Sequence, residues 1–147
     1  MVTIGILVLS FVIAICFYGQ MPEKMASHWN ASGQVDDYIP KFWALFLVPL
    51  ISAGLLLLFL AIPKIDPLKV NIEKFRKYYD FFIMFMIAFL FYIYLLTLFW
   101  NMGMGFDMIQ AMSPAFVALF YCCGILIANT KQNWFIGIRT PWTMSSE

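Results

Sequence analysis

Four long apolar runs decide what this chain can fold into. They cover residues 2–19, 42–62, 79–100 and 114–129, and the only ionisable acid or base within them is Asp80, near the start of the third run. A hydrocarbon core about 30 Å thick is crossed by roughly 20 residues of α-helix. The runs therefore predict an all-α integral membrane protein, with four transmembrane helices in an antiparallel bundle.

The composition supports this prediction. Hydrophobic residues make up 63% of the chain and charged residues 12%, whereas soluble domains have about 45–50% and 25%. We expect a multi-pass protein of the cell membrane, surrounded by lipids. No nucleic-acid partner and no cofactor are expected.

Caps and prolines predict where the helices begin and end. Pro63 should end the second helix, and Asn71 should begin the third. Ser113 should cap the fourth, with Pro114 in its first turn.

Lysine and arginine counts predict the orientation. Five lie in the loop at residues 63–80 and two in the tail at residues 131–147, against two in the loop at residues 20–41. Positive charge accumulates on the cytoplasmic side. Both termini and the 63–80 loop should therefore be cytoplasmic, and the 20–41 loop should face outward.

The apolar runs lack charge at their centres. Ion-coupled transporters place ionisable groups at membrane depth, so the sequence disfavours a proton-coupled transporter.

The outward loop at residues 20–41 holds most of the available chemistry, including the single histidine of the chain. We expect Asn30 and Gly33 to make a turn. Trp29 should be an interfacial anchor or part of an aromatic floor for a peptide or lipid. The candidate ligand-binding residues of the loop are Glu23, His28, Trp29, Asn30, Gly33, Asp36 and Asp37.

A metal site in this loop is a weaker hypothesis. His28 with Glu23 and Asp36 offers zinc ligands, but the spacing matches no metal motif and there is no second histidine. The pattern favours a non-enzymatic protein, and a histidine that hydrogen-bonds within the loop is the simpler interpretation.

The tail at residues 131–147 is the second distinctive stretch. From residue 133 it reads N-W-F-I-G-I-R-T-P-W-T-M-S-S-E, and Trp134 and Trp142 flank Arg139. Aromatic anchors at a cytoplasmic interface are the simpler interpretation. We divide the chain into a four-span membrane domain, residues 1–130, and this interfacial tail.

Together, M-P-E-K-M-A-S-H-W-N-A-S-G-Q-V-D-D-Y in the loop and the tail motif G-I-R-T-P-W-T resemble the SdpI family. These are bacterial and archaeal membrane proteins named for immunity to a secreted sporulation-delaying toxin, and many begin with a domain of unknown function like the first loop and its flanking spans. In the tail, the resemblance rests on Gly137, Arg139, Thr140, Pro141 and Trp142.

The resemblance implies immunity to, or sensing of, a secreted antibacterial peptide toxin, with signal transduction to a cytoplasmic regulator. Two alternatives remain open from the residues alone. One is a membrane-embedded, metal-dependent enzyme that uses the loop histidine and acids. The other is a small lipid- or peptide-binding carrier with aromatic clefts between its spans.

Overall fold

The computed structural model describes residues 1–137, and these are mostly helical. Long antiparallel helices are joined at one end by a short hairpin and at the other by a short helix. In chain order the elements are α1 (Val2–Phe17), β1 (Lys24–Trp29), β2 (Val35–Pro40), α2 (Lys41–Ile65), α3 (Lys69–Lys74), α4 (Arg76–Asn101) and α5 (Met108–Asn129).

Within residues 1–137, three helices are long and apolar enough to cross a membrane. They are α2, α4 and α5, with 25, 26 and 22 residues. Helix α1 is apolar but has only 16 residues, or about 24 Å at 1.5 Å per residue. A fourth span through α1 and the cytoplasmic termini stay predictions.

The all-α prediction was wrong for the loop at residues 20–41. Strands β1 and β2 form an antiparallel hairpin there. The polar residues of the loop suggested irregular structure, but many of them lie on the exposed side of a hairpin. Met25 and Ala26, which lie between these polar residues on β1, are buried against the helices.

The third helix does not begin at Asn71. Residues around it form the separate helix α3, and α4 starts after Phe75, whose φ of −121° and ψ of 20° interrupt the helix. Asn71 is not a cap, because it lies inside α3; its Nδ2 donates instead to the carbonyl of Gln132 (2.9 Å). A long-range contact thus replaced the local role that the sequence suggested.

The fourth apolar helix also begins earlier than predicted. Helix α5 starts at Met108, and the Asp107 carboxylate caps it by accepting from the N–H of Gln110 (3.0 Å). Ser113 and Pro114 therefore lie inside the helix. The Ser113 hydroxyl donates to the carbonyl of Ile109 (2.6 Å).

Pro63 does not end α2, which continues to Ile65. Proline has no N–H, so the carbonyl four residues earlier loses its helical donor. That carbonyl belongs to Phe59, and it accepts instead from the hydroxyl of Tyr79 (2.8 Å) on α4. The proline is tolerated because a neighbouring helix satisfies the carbonyl.

The buried residues form two clusters in the described part of the chain. One lies near the end that carries the basic loop, where Ile72, Phe75 and Tyr79 pack with Ile83. The other lies beneath the hairpin. We call these the basic end (residues 63–78 and 130–137) and the hairpin end (residues 18–41 and 101–108).

Replacing Tyr79 by Phe should destabilise the bundle by about 1–2 kcal/mol, because it leaves the partly buried Phe59 carbonyl without a donor. The measurement is the thermal unfolding of the purified protein in detergent, followed by circular dichroism.

The matched control is Tyr121→Phe. Tyr121 is 73% exposed on α5, so its loss of a hydroxyl should leave the unfolding midpoint unchanged. Equal midpoints for the two variants would contradict the role assigned to Tyr79.

Candidate functional site

The hairpin is closed by a compact turn at residues 30–34. The Asn30 side-chain oxygen accepts from the N–H groups of Ser32 (2.9 Å) and Gln34 (3.0 Å). Gly33 has a φ of +73°, in the left-handed region that glycine adopts at little cost. The predicted turn is confirmed, and Asn30 and Gly33 are its structural residues.

The hairpin is attached to the bundle through Asn101, the last residue of α4. The Asn101 Oδ1 accepts from the N–H of Ala26 (2.8 Å), and its Nδ2 donates to the carbonyl of Ala26 (3.1 Å) and to that of Thr97 (2.8 Å). The side-chain amide therefore pairs with β1 as one residue of a third strand would.

The turn of the hairpin approaches the start of α5. A Cβ atom built on Gly33 would lie 3.4 Å from Oδ1 of Asp107, the N-cap of that helix. The end of α4 and the cap of α5 thus lie against both parts of the hairpin, Asn101 at β1 and Asp107 at the turn.

Asn101 and Asp107 were missed by the sequence analysis. Asn101 is 75 residues from Ala26 in the chain, and no local pattern marks such a pair. The only signal was a polar side chain directly after the third apolar run.

The structure brings two of the predicted site residues into direct contact. Nδ1 of His28 lies 2.5 Å from Oδ1 of Asp36 across the hairpin, and the two side chains are 67% and 43% exposed. A carboxylate has no hydrogen to give, so the imidazole Nδ1–H is the donor. Nε2 of His28 then remains available to a ligand.

The other two acids of the loop have separate partners. Oε1 of Glu23 lies 2.7 Å from Nζ of Lys41, and Oδ1 of Asp37 accepts from the N–H of Tyr38 (2.8 Å). Across residues 1–137, no group of three or more His, Cys, Asp and Glu side chains is close enough to hold a metal ion.

Several aromatic side chains lie at or beside the hairpin end. Trp29 meets Trp100 edge-to-face, with the ring centroids 5.5 Å apart. The indole Nε1 of Trp29 is buried and has no hydrogen-bond partner among the described residues. Tyr38 and Trp43 are half exposed, as interfacial anchors would be.

An open cleft of about 360 Å³ lies between β1 and the α4–α5 loop. Its walls are mainly apolar, and Lys24 is the charged residue among the lining positions. The lining comprises Pro22, Lys24, Tyr38, Trp100, Asn101, Gly103, Met104 and Gly105.

At the basic end, a buried acid holds the start of the tail. Asp66 is 2% exposed, and its two carboxylate oxygens accept from the N–H groups of Leu68 (2.7 Å) and Trp134 (2.8 Å). Gly137 has a φ of +103°. The other motif residues of the tail lie outside the described residues, namely Arg139, Thr140, Pro141 and Trp142.

Residues 5–53 match the family model DUF1648, a domain of unknown function that is found in SdpI-like proteins. The match covers about a third of the chain, from α1 through the hairpin to the middle of α2. No curated protein matches the chain. No solved structure matches it either.

Replacing Asn101 by Leu should loosen the hairpin, because the N–H and carbonyl of Ala26 lose their partner. The loss of about 1–2 kcal/mol corresponds to amide hydrogen exchange faster by roughly tenfold in residues 24–40. Hydrogen–deuterium exchange with mass spectrometry measures this directly.

Asn129→Leu is the matched control. The Asn129 amide donates within its own helix, to the carbonyl of Ile125 (2.8 Å), so this variant should leave exchange in the hairpin unchanged. Unchanged exchange in Asn101→Leu would show that the amide does not hold the hairpin.

Proposed function

We propose that this chain is an SdpI-like membrane protein that gives immunity to, or senses, a secreted antibacterial peptide toxin at its hairpin end. The support is the match of residues 5–53 to a domain found in SdpI-like proteins. Those residues include the whole hairpin, and the tail motif of the same family resemblance follows α5.

The observation that carries the proposal is the attachment of the hairpin to α4 and α5. An exposed two-stranded hairpin is marginally stable by itself. Here the amide of Asn101 fixes β1, and Met25 is only 1% exposed. A surface that is rigid before binding loses less entropy when a ligand arrives.

The hairpin offers a ligand the chemistry of the His28–Asp36 pair. The pair is exposed, so it contributes little to the stability of the fold. Its polar groups are therefore better explained as recognition groups. In this proposal Nε2 of His28 contacts the ligand, and Asp36 orients the imidazole.

The orientation belongs to the same proposal. The seven-to-two distribution of Lys and Arg supports a cytoplasmic basic end in the cell membrane, with the hairpin end facing the secreted toxin. The tail motif from Gly137 to Trp142 would then meet a cytoplasmic regulator.

A second candidate, a small lipid or peptide carrier, is supported by the cleft of about 360 Å³ and its mainly apolar walls. A metal-dependent enzyme has weaker support. Within the part of the chain that the structure describes, His28 contacts a single acid, Asp36, and Glu23 is bound to Lys41 instead.

Expression of the chain should protect a sensitive bacterial strain against the purified sporulation-delaying toxin. His28→Ala or Asp36→Asn should lower the tolerated toxin concentration by about tenfold, the effect of losing about 1.4 kcal/mol of binding. Growth across a toxin dilution series, with membrane protein levels measured by immunoblot, checks this.

The matched control is Asp80→Asn, which changes another exposed acid, in an ion pair with Arg76 (2.7 Å) near the basic end. It should leave recognition of the toxin intact. Arg139→Ala tests the proposed relay separately, because it should change the cytoplasmic response without lowering toxin binding. A well-inserted parent protein that protects against no secreted peptide toxin would refute the immunity function.

A further inference from the structure

One edge of the hairpin has backbone groups that β2 cannot satisfy. In an antiparallel pair, successive residues direct their N–H and C=O groups alternately toward the partner strand and away from it. The backbone N–H and C=O of Ala26 point away from β2, because both of them bind Asn101. The backbone N–H and C=O of Lys24, two residues earlier, must point the same way.

The residue opposite Lys24 supports this register. Lys24 is paired with Pro40, which has no N–H to give. The groups that join the strands there belong to the neighbouring residues, since the N–H of Lys41 donates to the carbonyl of Glu23 (3.0 Å). The backbone N–H and carbonyl of Lys24 are thus left on the free edge of β1.

This free edge lies in the cleft of the hairpin end. Pro22 and Lys24 line one wall, and Gly103, Met104 and Gly105 line the other. At the next outward position of β1 the Asn101 amide already occupies the place of a third strand. The cleft therefore continues a strand-pairing edge that the protein itself uses at Ala26.

The Lys24 ammonium adds a charge to this edge. Among residues 1–137, Lys24 is in no ion pair, whereas the other lysine of the loop, Lys41, is bound by Glu23. An anionic group is its natural partner. The rings of Trp100 and Tyr38 offer apolar and aromatic contact beside it.

We propose that the cleft binds an extended peptide, which adds to the free edge of β1 and places a carboxylate at Lys24. This inference rests on the proposed function, because it names the ligand class of the same hairpin end. The ligand pairs its backbone N–H and C=O with those of Lys24, and its apolar side chains contact Trp100 and Met104.

The backbone edge is what selects a peptide over a lipid. A fatty acid or phospholipid supplies an anion and an apolar chain, but it has no alternating N–H and C=O groups along its length. Addition of a strand to an exposed sheet edge uses those groups for affinity and side-chain pockets for specificity. Lys24 offers one donor and one acceptor for this pairing.

The test uses the whole protein in lipid nanodiscs and fluorine NMR. The probe is a short peptide of alternating Val and Thr that ends in para-fluorophenylalanine with a free carboxylate. Its fluorine signal should broaden saturably on binding. An N-methylated probe should bind about fivefold more weakly, the equivalent of one hydrogen bond of about 1 kcal/mol.

Lys24→Met isolates the charge. It should weaken binding of the carboxylate probe by about fivefold and bring it to the level of a probe with an amidated C-terminus. Binding of the amidated probe should not change. Lys69→Met is the matched control, since this exposed lysine lies on α3 at the opposite end.

Three results would overturn the inference. They are no saturable binding of the parent probe, equal binding of the N-methylated probe, and displacement of the probe by a fluorinated fatty acid at equal concentration. The last result would assign the cleft to lipids.

Failure here is distinct from failure of the proposed function. Protection against a toxin is measured in cells through His28 and Asp36. Strand addition is measured with synthetic probes through Lys24. A protein that protects cells but binds no probe would support the immunity function and refute the strand-edge site. A protein that binds the probe but protects no cells would support the strand-edge site and refute the immunity function.

Discussion

Backbone N–H and C=O groups that water cannot reach must find partners within the protein, and this constraint explains how the ends of the bundle are built. At three places, a side chain from another segment of the chain supplies the missing hydrogen-bond partner. Tyr79 donates to the carbonyl of Phe59, Asn101 satisfies both backbone groups of Ala26, and Asp66 accepts from the N–H of Trp134.

Each of these side chains joins two parts of the chain that are at least 20 residues apart in sequence. The Phe59 carbonyl has no helical donor because of Pro63, so the hydroxyl of Tyr79 joins α2 to α4 there. The carbonyl and N–H of Ala26 lie on an edge strand, so the hairpin is tied to the far end of the same helix. Helix α4 thus makes one of these hydrogen-bonded contacts near its start, through Tyr79, and another at its last residue, Asn101.

The apolar pattern predicted α2, α4 and α5 because hydrophobicity over about 20 residues is a property of the local sequence. The turn at Asn30 and Gly33 was predictable for a similar reason, since turn chemistry is local. The pairing of β1 with β2 was missed, as was the start of α5 at Met108. The strand pairing depends on contacts between residues that the polar composition of the loop does not indicate. The start of α5 depends on the cap at Asp107, for which Ser113 and Pro114 were mistaken.

The site was predictable in composition but not in arrangement. The sequence singled out His28 and Asp36 together with Glu23. The side chain of His28 contacts Asp36, although Asp37 is the residue paired with His28 in the strand register, and Glu23 is bound to Lys41. Which acid meets the histidine depends on the strand register, which includes irregularities on both sides of His28. No spacing rule could supply that register.

The same register decides what the hairpin offers to a partner. A single side-chain amide can replace a strand at only one outward position, and Asn101 does so at Ala26. The next outward position, at Lys24, needs a donor and an acceptor spaced as in a peptide backbone. Since Asn101 holds β1 in place from α4, a peptide that pairs at Lys24 meets an edge that is already fixed. The interaction that stabilises the hairpin therefore also prepares its free edge for strand addition.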